Sequence, residues 1–147
     1  MRALLMAIMI LVGSAAAAMA GPREEALAVL DKWGAAFAAS DVDAIVSLYA
    51  PDALFMGTGS TSVVTDTRDI RKYFEGTLLT DKPRGAPIRS TTVMVLADDA
   101  VLVVALNDST RVKDGATIAS PGRVTFVIAK RGDGWKIVHM HRSAMPK

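Results

Sequence analysis

AVLVVALNDSTRVKDGATIASPGRVTFVIAKRGDGWKIVHMHRSA, residues 100–144, consists of three long β-forming runs separated by Lys113-Asp114-Gly115 and Gly132-Asp133-Gly134. Glycine beside aspartate supplies tight reversals, and the β-branched residues between them favour extended backbone. The runs read as strands over Ala100–Val112, Thr117–Lys130 and Gly134–Ser143. A fourth strand over Ile88–Ala97 precedes them and turns back at Asp98-Asp99. Connections this short make an antiparallel meander.

Within that meander AVLVVAL, Ala100–Leu106, is apolar at consecutive positions. Strand side chains alternate sides, so both faces of this strand need cover, whereas an antiparallel sheet often leaves one face wet. Helices can cover one face. No further element is available for the other, and the expected cover is a second copy of the chain, a homodimer packed through the sheet.

Upstream of the strands the periodicity is helical. Pro22, Glu24 and Glu25 suit a helix start, and Leu27, Leu30, Trp33 and Phe37 recur at helical spacing behind them. Ser40 with Asp43 fits a capping box for a second helix striped by Val42, Ile45, Val46 and Tyr49 and ended by Pro51-Asp52. Ala53–Met56 reads as a short strand, Gly57-Thr58-Gly59 as a turn and Val63-Val64 as its partner. Asp66 or Thr67 then caps a third helix with Ile70, Tyr73, Phe74 and Leu78 inward. The fold class that results is α+β: N-terminal helices packed on a strongly curved antiparallel sheet, a cone with a pocket between the helices and the concave face.

The first twenty residues have a different character. Arg2 is a short positive start, Ala3–Val12 is almost unbroken apolar sequence, and Ala18-Met19-Ala20 offers small residues where a signal peptidase cleaves. Residues 1–20 are therefore expected to be a signal peptide cleaved after Ala20, and 21–147 a single domain. Removing 20 of 147 residues leaves 127, enough for one ordinary core. An uncleaved anchor is the rival reading, since Ala3–Ala20 nearly spans a bilayer. Cleavage would leave the protein periplasmic or secreted, with no stable membrane anchor.

The chain has no cysteine, which removes disulfides, thiolate catalysis, thiolate metal ligands and a lipid anchored on cysteine. Its 17 basic side chains face 15 acidic ones, so no electrostatic case exists for nucleic acid.

Two stretches carry a family resemblance. SDVDAIVSLYAPDALF, Ser40–Phe55, resembles the helix, turn and strand signature of nuclear transport factor 2-like proteins, among them the SnoaL-like polyketide cyclases. GDGWKIVHMHRSAMP, Gly132–Pro146, is similar to the last strand of the calcium/calmodulin-dependent kinase II association domain and its bacterial relatives. The resemblance covers about Arg23 to Pro146 and implies a cone-shaped, cystatin-like roll, dimers or rings built through the sheet, and a deep pocket. It implies no kinase, because no kinase motif is present.

The chemistry-bearing residues concentrate at the end. The chain's two histidines, His139 and His141, lie two apart on the last strand and therefore share a face. They have three readings: pocket residues that bind a polar ligand or move protons, metal ligands, or structural groups in the sheet or dimer interface. A metal site lacks further ligands at diagnostic spacing, so neither metal nor cofactor is expected. The pocket reading places both rings on the concave face, and a register shift of one residue would turn both toward the dimer interface. Arg123, among apolar strand residues, calls for an anionic ligand, a carboxylate partner or solvent. Arg89, Thr91 and Asn107 are further polar insertions, available to a pocket or an interface. Trp33 and Tyr49 are the preferred pocket aromatics because each adds a polar tip. Asp52 reads as a turn or capping residue, and Met94, Met140 and Met145 as packing.

Two functions follow from these residues. One is an exported homodimer whose pocket holds a small polar or acidic molecule on Trp33, Tyr49, Arg123, His139 and His141. The other is an acid/base enzyme on a small hydrophobic substrate, a cyclase, dehydratase or isomerase, with His139 or His141 as base and Tyr49 as hydrogen-bond donor. The first helix offers Trp33 where an isomerase would offer a tyrosine, and Asp108 is the one mid-strand acid, so isomerisation is the least favoured of these.

Overall fold

The computed structural model describes residues 20–132 and 134–146. The expected signal peptide therefore lies almost wholly outside the described residues. Among those described, no helix is long and apolar enough to cross a membrane.

Chain order is α1 (Pro22–Ala39), α2 (Val42–Ser47), β1 (Tyr49–Met56), α3 (Thr67–Leu78), β2 (Arg84–Gly85), β3 (Ile88–Ala97), β4 (Ala100–Lys113), β5 (Ala116–Arg131) and β6 (Gly134–Ala144). The four meander strands are present with ends shifted by at most one residue, whereas the short strand expected at Ala53–Met56 begins at Tyr49 and the Val63-Val64 partner is reduced to a single bridge from Val64 to Phe55. The α+β class holds as well, with helices at the N-terminus and a curled, unclosed sheet.

The meander β3-β4-β5-β6 is antiparallel throughout. β1 joins it at β6 in parallel, and β2 pairs with the far end of β4, Arg84 opposite Arg111. The two-residue β2 has too little sequence to show any period.

Two local readings are corrected. Ser40 does not open α2: it closes α1 in the left-handed region at φ 54°, and Asp41 is the cap, its carboxylate accepting from Ala44 N at 2.9 Å. A residue used to end one helix cannot also take the extended conformation that starts the next. Tyr49 begins β1 rather than lying on the α2 stripe, and Pro51 sits inside that edge strand, where its missing N–H costs no ladder bond.

The core lies between the three helices and the concave face. Trp33, Phe55, Phe74 and Phe126 are all but fully buried there, with Trp33 edge-on to Phe126 at 5.4 Å between centroids. Val101, Val103 and Ala105 of β4 and Val124, Phe126 and Ile128 of β5 supply the sheet's share. Each large side chain buried this way stabilises the fold by roughly 1.5–3 kcal/mol.

The other face of the same strands is the one expected to need cover. Leu102, Val104 and Leu106 alternate with the buried set on β4, and Met94 and Leu54 stand on the same side of β3 and β1. Val104, Leu54 and Met94 are 44%, 47% and 58% exposed, so the convex face is apolar and open in the single chain.

Candidate functional site

β6 determines which side chains enter the cone. Ile137 is fully buried against the helices, opposite Ile128 of β5, while His139 stands opposite Val127. Two residues of β6 separate pairings that are adjacent on β5, so Val138 is an extra residue, a β-bulge. A bulge reverses the parity of everything after it. Met140 and Arg142 therefore follow Ile137 into the concave face, 3% and 8% exposed. His139 and His141 point the other way.

The expected pocket placement of His139 and His141 is thereby corrected. They share a face, as alternation requires, but it is the convex one, where His139 lies between Leu54 and Val127 and His141 between Met56 and Thr125. Strict alternation from the buried Ile137 would have sent both inward. Arg123 is corrected as well: alternating on β5 with the buried Val124, it pairs with Ser143 on the convex side and is exposed, with the Ala144 carbonyl as acceptor at 3.5 Å. Asp108 is also convex and lies 3.3 Å from Arg89.

Inside the cone is a cavity of about 210 Å³ between α1, α3 and the far ends of β4, β5 and β6. Trp33 lines it with Phe37, Tyr73, Phe74 and Met140. Tyr49 does not reach the cavity. It stands one layer behind, 4% exposed, its hydroxyl accepting from Trp33 Nε1 at 3.0 Å, and burial pushes that hydroxyl far above the usual phenol range. Of the five residues expected to bind a ligand, the structure brings only Trp33 to the cavity wall.

Opposite the aromatic wall is a polar one. Arg142 Nε donates to Asn107 Oδ1 at 3.0 Å, Nη1 to Thr58 Oγ1 at 2.6 Å and Nη2 to the Ser120 carbonyl at 2.6 Å. All three acceptors are neutral. Among the described residues no carboxylate lies within ion-pair distance of this guanidinium, and burial lowers its pKa from the usual arginine value. Gly122 makes room for it, since a Cβ there would stand 2.6 Å from the Arg142 Cζ. At the mouth are Arg84 and Arg111. Arg84 Nε is buried without a hydrogen-bond partner, and its pKa is lowered by burial and then by the neighbouring Arg111. Arg111 Nε is 3.6 Å from Asp81.

Among the described residues, the lining of this cavity contains three arginines and no aspartate, glutamate or histidine. Such a wall attracts anions and offers no ordinary base near neutral pH. A larger depression of about 570 Å³ opens where α1 begins, beside Trp135. It is bordered by Lys32, Lys130 and Lys136 but also by Glu25 and Asp98, so its charges largely compensate one another, and it lies outside the cone.

Arg142, Arg84, Arg111 and Thr58 were not singled out by sequence reasoning, whereas Asn107 was, and Tyr73 was placed on the inner face of the third helix. Arg142 carried a usable signal: it shares a face with Met140 and is opposed to both histidines whatever the parity. Arg84, in the short segment before β3, carried none.

Comparison with known proteins agrees with this fold. Residues 26–147 match the family model described as SnoaL-like domain. A solved structure from Xanthomonas campestris, assigned as a calcium/calmodulin dependent protein kinase II association domain, is 34% identical with a TM-score of 0.77, over 84% of this chain and 88% of that one. A nuclear transport factor 2-like protein with a cystatin-like fold from Novosphingobium aromaticivorans is 16% identical with a TM-score of 0.72, over 84% of this chain and 81% of that one. A protein assigned as a dehydratase of the nuclear transport factor 2-like family from Streptomyces avermitilis is 16% identical with a TM-score of 0.74, over 84% and 97%. The last two likenesses concern the fold alone. No match is found among the curated proteins.

Proposed function

This chain belongs to the SnoaL-like domain family, and from that premise we propose that it is an exported homodimeric binding protein whose cone holds a small acidic molecule. The observation that carries the reading is Arg142, 8% exposed, facing the cavity with neutral partners only. A buried guanidinium that lacks a carboxylate gains most from an anionic ligand, because each charge-assisted hydrogen bond made away from water exceeds its neutral counterpart.

Export is supported by the signal-like residues 1–20. The dimer is supported by the open apolar convex face and by the likeness to an association domain. The protein has no kinase activity of its own in this reading and binds no nucleic acid.

Acid/base turnover has less support in the lining. Neither histidine faces the cavity, and among the described residues no carboxylate lines it. Among the described residues, Tyr73 is the one non-arginine titratable group on its wall.

The test is titration of the purified protein with small carboxylic acids, followed by calorimetry. Benzoate and short aliphatic acids are expected to bind at the cone, and Arg142→Gln to weaken binding by about tenfold or more. Absence of binding by every acid, in protein whose circular dichroism shows it folded, would sink the reading.

A further inference from the structure

The three cavity arginines are not equivalent, and their arrangement specifies more than a negative charge. Arg142 is tied to Asn107 and to Ser120, the register partner of Ser109. Arg84 is the register partner of Arg111. Asn107, Ser109 and Arg111 follow one another on the inner side of β4, at successive same-face positions about 7 Å apart. The cationic wall therefore has two stations, one over Asn107 and Ser109 and one at Arg111.

Charge at each station is counted from the contacts. Arg142 has no carboxylate within ion-pair distance, since Asp108 is engaged by Arg89 on the other face. At the second station the one carboxylate, Asp81, pairs with Arg111, and Arg84 Nε is left buried and unbonded. One positive charge remains at each. Between them and the helices runs the apolar wall of Trp33, Phe37, Tyr73 and Phe74.

Resting on the acidic-ligand reading above, we infer that the cavity selects a small dianion whose two acidic groups are held apart by a compact apolar body, one on Arg142 and one on Arg84 with Arg111. A monoanion leaves one buried station uncompensated. A group with both charges on one centre, such as a phosphate monoester, loads one station and leaves the other empty.

Isophthalate, its monoamide 3-carbamoylbenzoate and phenyl phosphate separate these cases by calorimetric titration of the purified protein. Isophthalate is expected to bind about tenfold or more tightly than the monoamide, the difference one charge-assisted pair makes. Arg84→Gln, in protein whose circular dichroism shows it folded, is expected to bring the two within about twofold. Arg111→Gln should act in the same direction.

Equal binding of isophthalate and its monoamide by the unaltered protein would overturn the inference and leave the acidic-ligand reading standing. So would tighter binding of phenyl phosphate, or a preference for isophthalate that survives both substitutions. Failure of all three to bind folded protein would overturn both.

Discussion

The two faces of the sheet are built from the same strands and read almost alike in sequence, yet they do different things. On β4 the inward set is Val101, Val103, Ala105 and Asn107, and the outward set is Leu102, Val104, Leu106 and Asp108. Each has three apolar residues followed by one polar one. The inward set is sealed by helices, so its polar member, 1% exposed, must be bonded and becomes a support for Arg142. The outward set is open, and its polar member forms an ordinary partly exposed ion pair. Composition gives a strand two apolar faces; what packs on each decides whether a polar residue becomes part of a site.

The strongest way to break this contrast is to remove Val138. Deleting it restores strict alternation after Ile137 and exchanges the faces of every later residue. Met140 and Arg142 would leave the cone and both histidines would enter it. Loss of the Met140 packing alone is worth about 2–5 kcal/mol, so urea denaturation should show a severely destabilised or unfolded chain. A deletion variant as stable as the parent would mean that the bulge does not set the parity.

Next in size is a charge on the open face. Val104→Asp puts carboxylates at the centre of the proposed sheet-to-sheet contact, once from each copy, and should weaken association by about 100-fold or more with the circular dichroism unchanged. Sedimentation equilibrium at micromolar concentration reads this directly. An unaltered protein that is itself monomeric there would remove the homodimer.

The histidines sharpen the same comparison from the other side. His139→Gln and His141→Gln should each change the affinity for benzoate by less than about twofold, because both rings are on the convex face. A loss as large as that of Arg142→Gln would put them back at the ligand.

Most of the fold was legible because it depends on periods that survive small errors: 3.6 for α1 and α3, 2 for β3 through β5, and glycine with aspartate at the reversals. The site was legible only up to β6. Trp33 was found, being an aromatic residue on a stripe that already pointed inward, while Asn107 was singled out only as a polar insertion open to a pocket or an interface. Arg142 and the histidines were exchanged by one inserted residue, and Val138, flanked by Ile137 and His139, bears no mark of a bulge in its own chemistry. Arg84 enters by way of a two-residue strand whose pairing with β4 is a tertiary fact.

The smallest effect tests the helices rather than the sheet. Asp66 caps α3, and the Arg68 guanidinium and backbone N–H hold its carboxyl at about 2, below the ordinary 3.8. A depressed carboxyl stabilises the fold fully above its unfolded pKa and loses that contribution as the pH falls through the folded one. The Tm advantage over Asp66→Asn should therefore be present at pH 5 and shrink between about pH 4 and pH 2. Solvent access to the ion pair keeps it to about 1–2 °C. An advantage that does not vary over that range would mean the cap acts without its charge.

Trp33 has one more consequence. It is one of only two tryptophans, 1% exposed, hydrogen-bonded to Tyr49 and part of the cavity wall, while Trp135 lies at the rim of the outer depression. With Trp135 replaced by phenylalanine, the emission of the protein comes from a single indole in a nearly dry setting at the place a ligand would touch. The molecule then carries its own optical gauge of cone occupancy, needing no label, and a change in its intensity or wavelength reads the cone independently of any subunit contact.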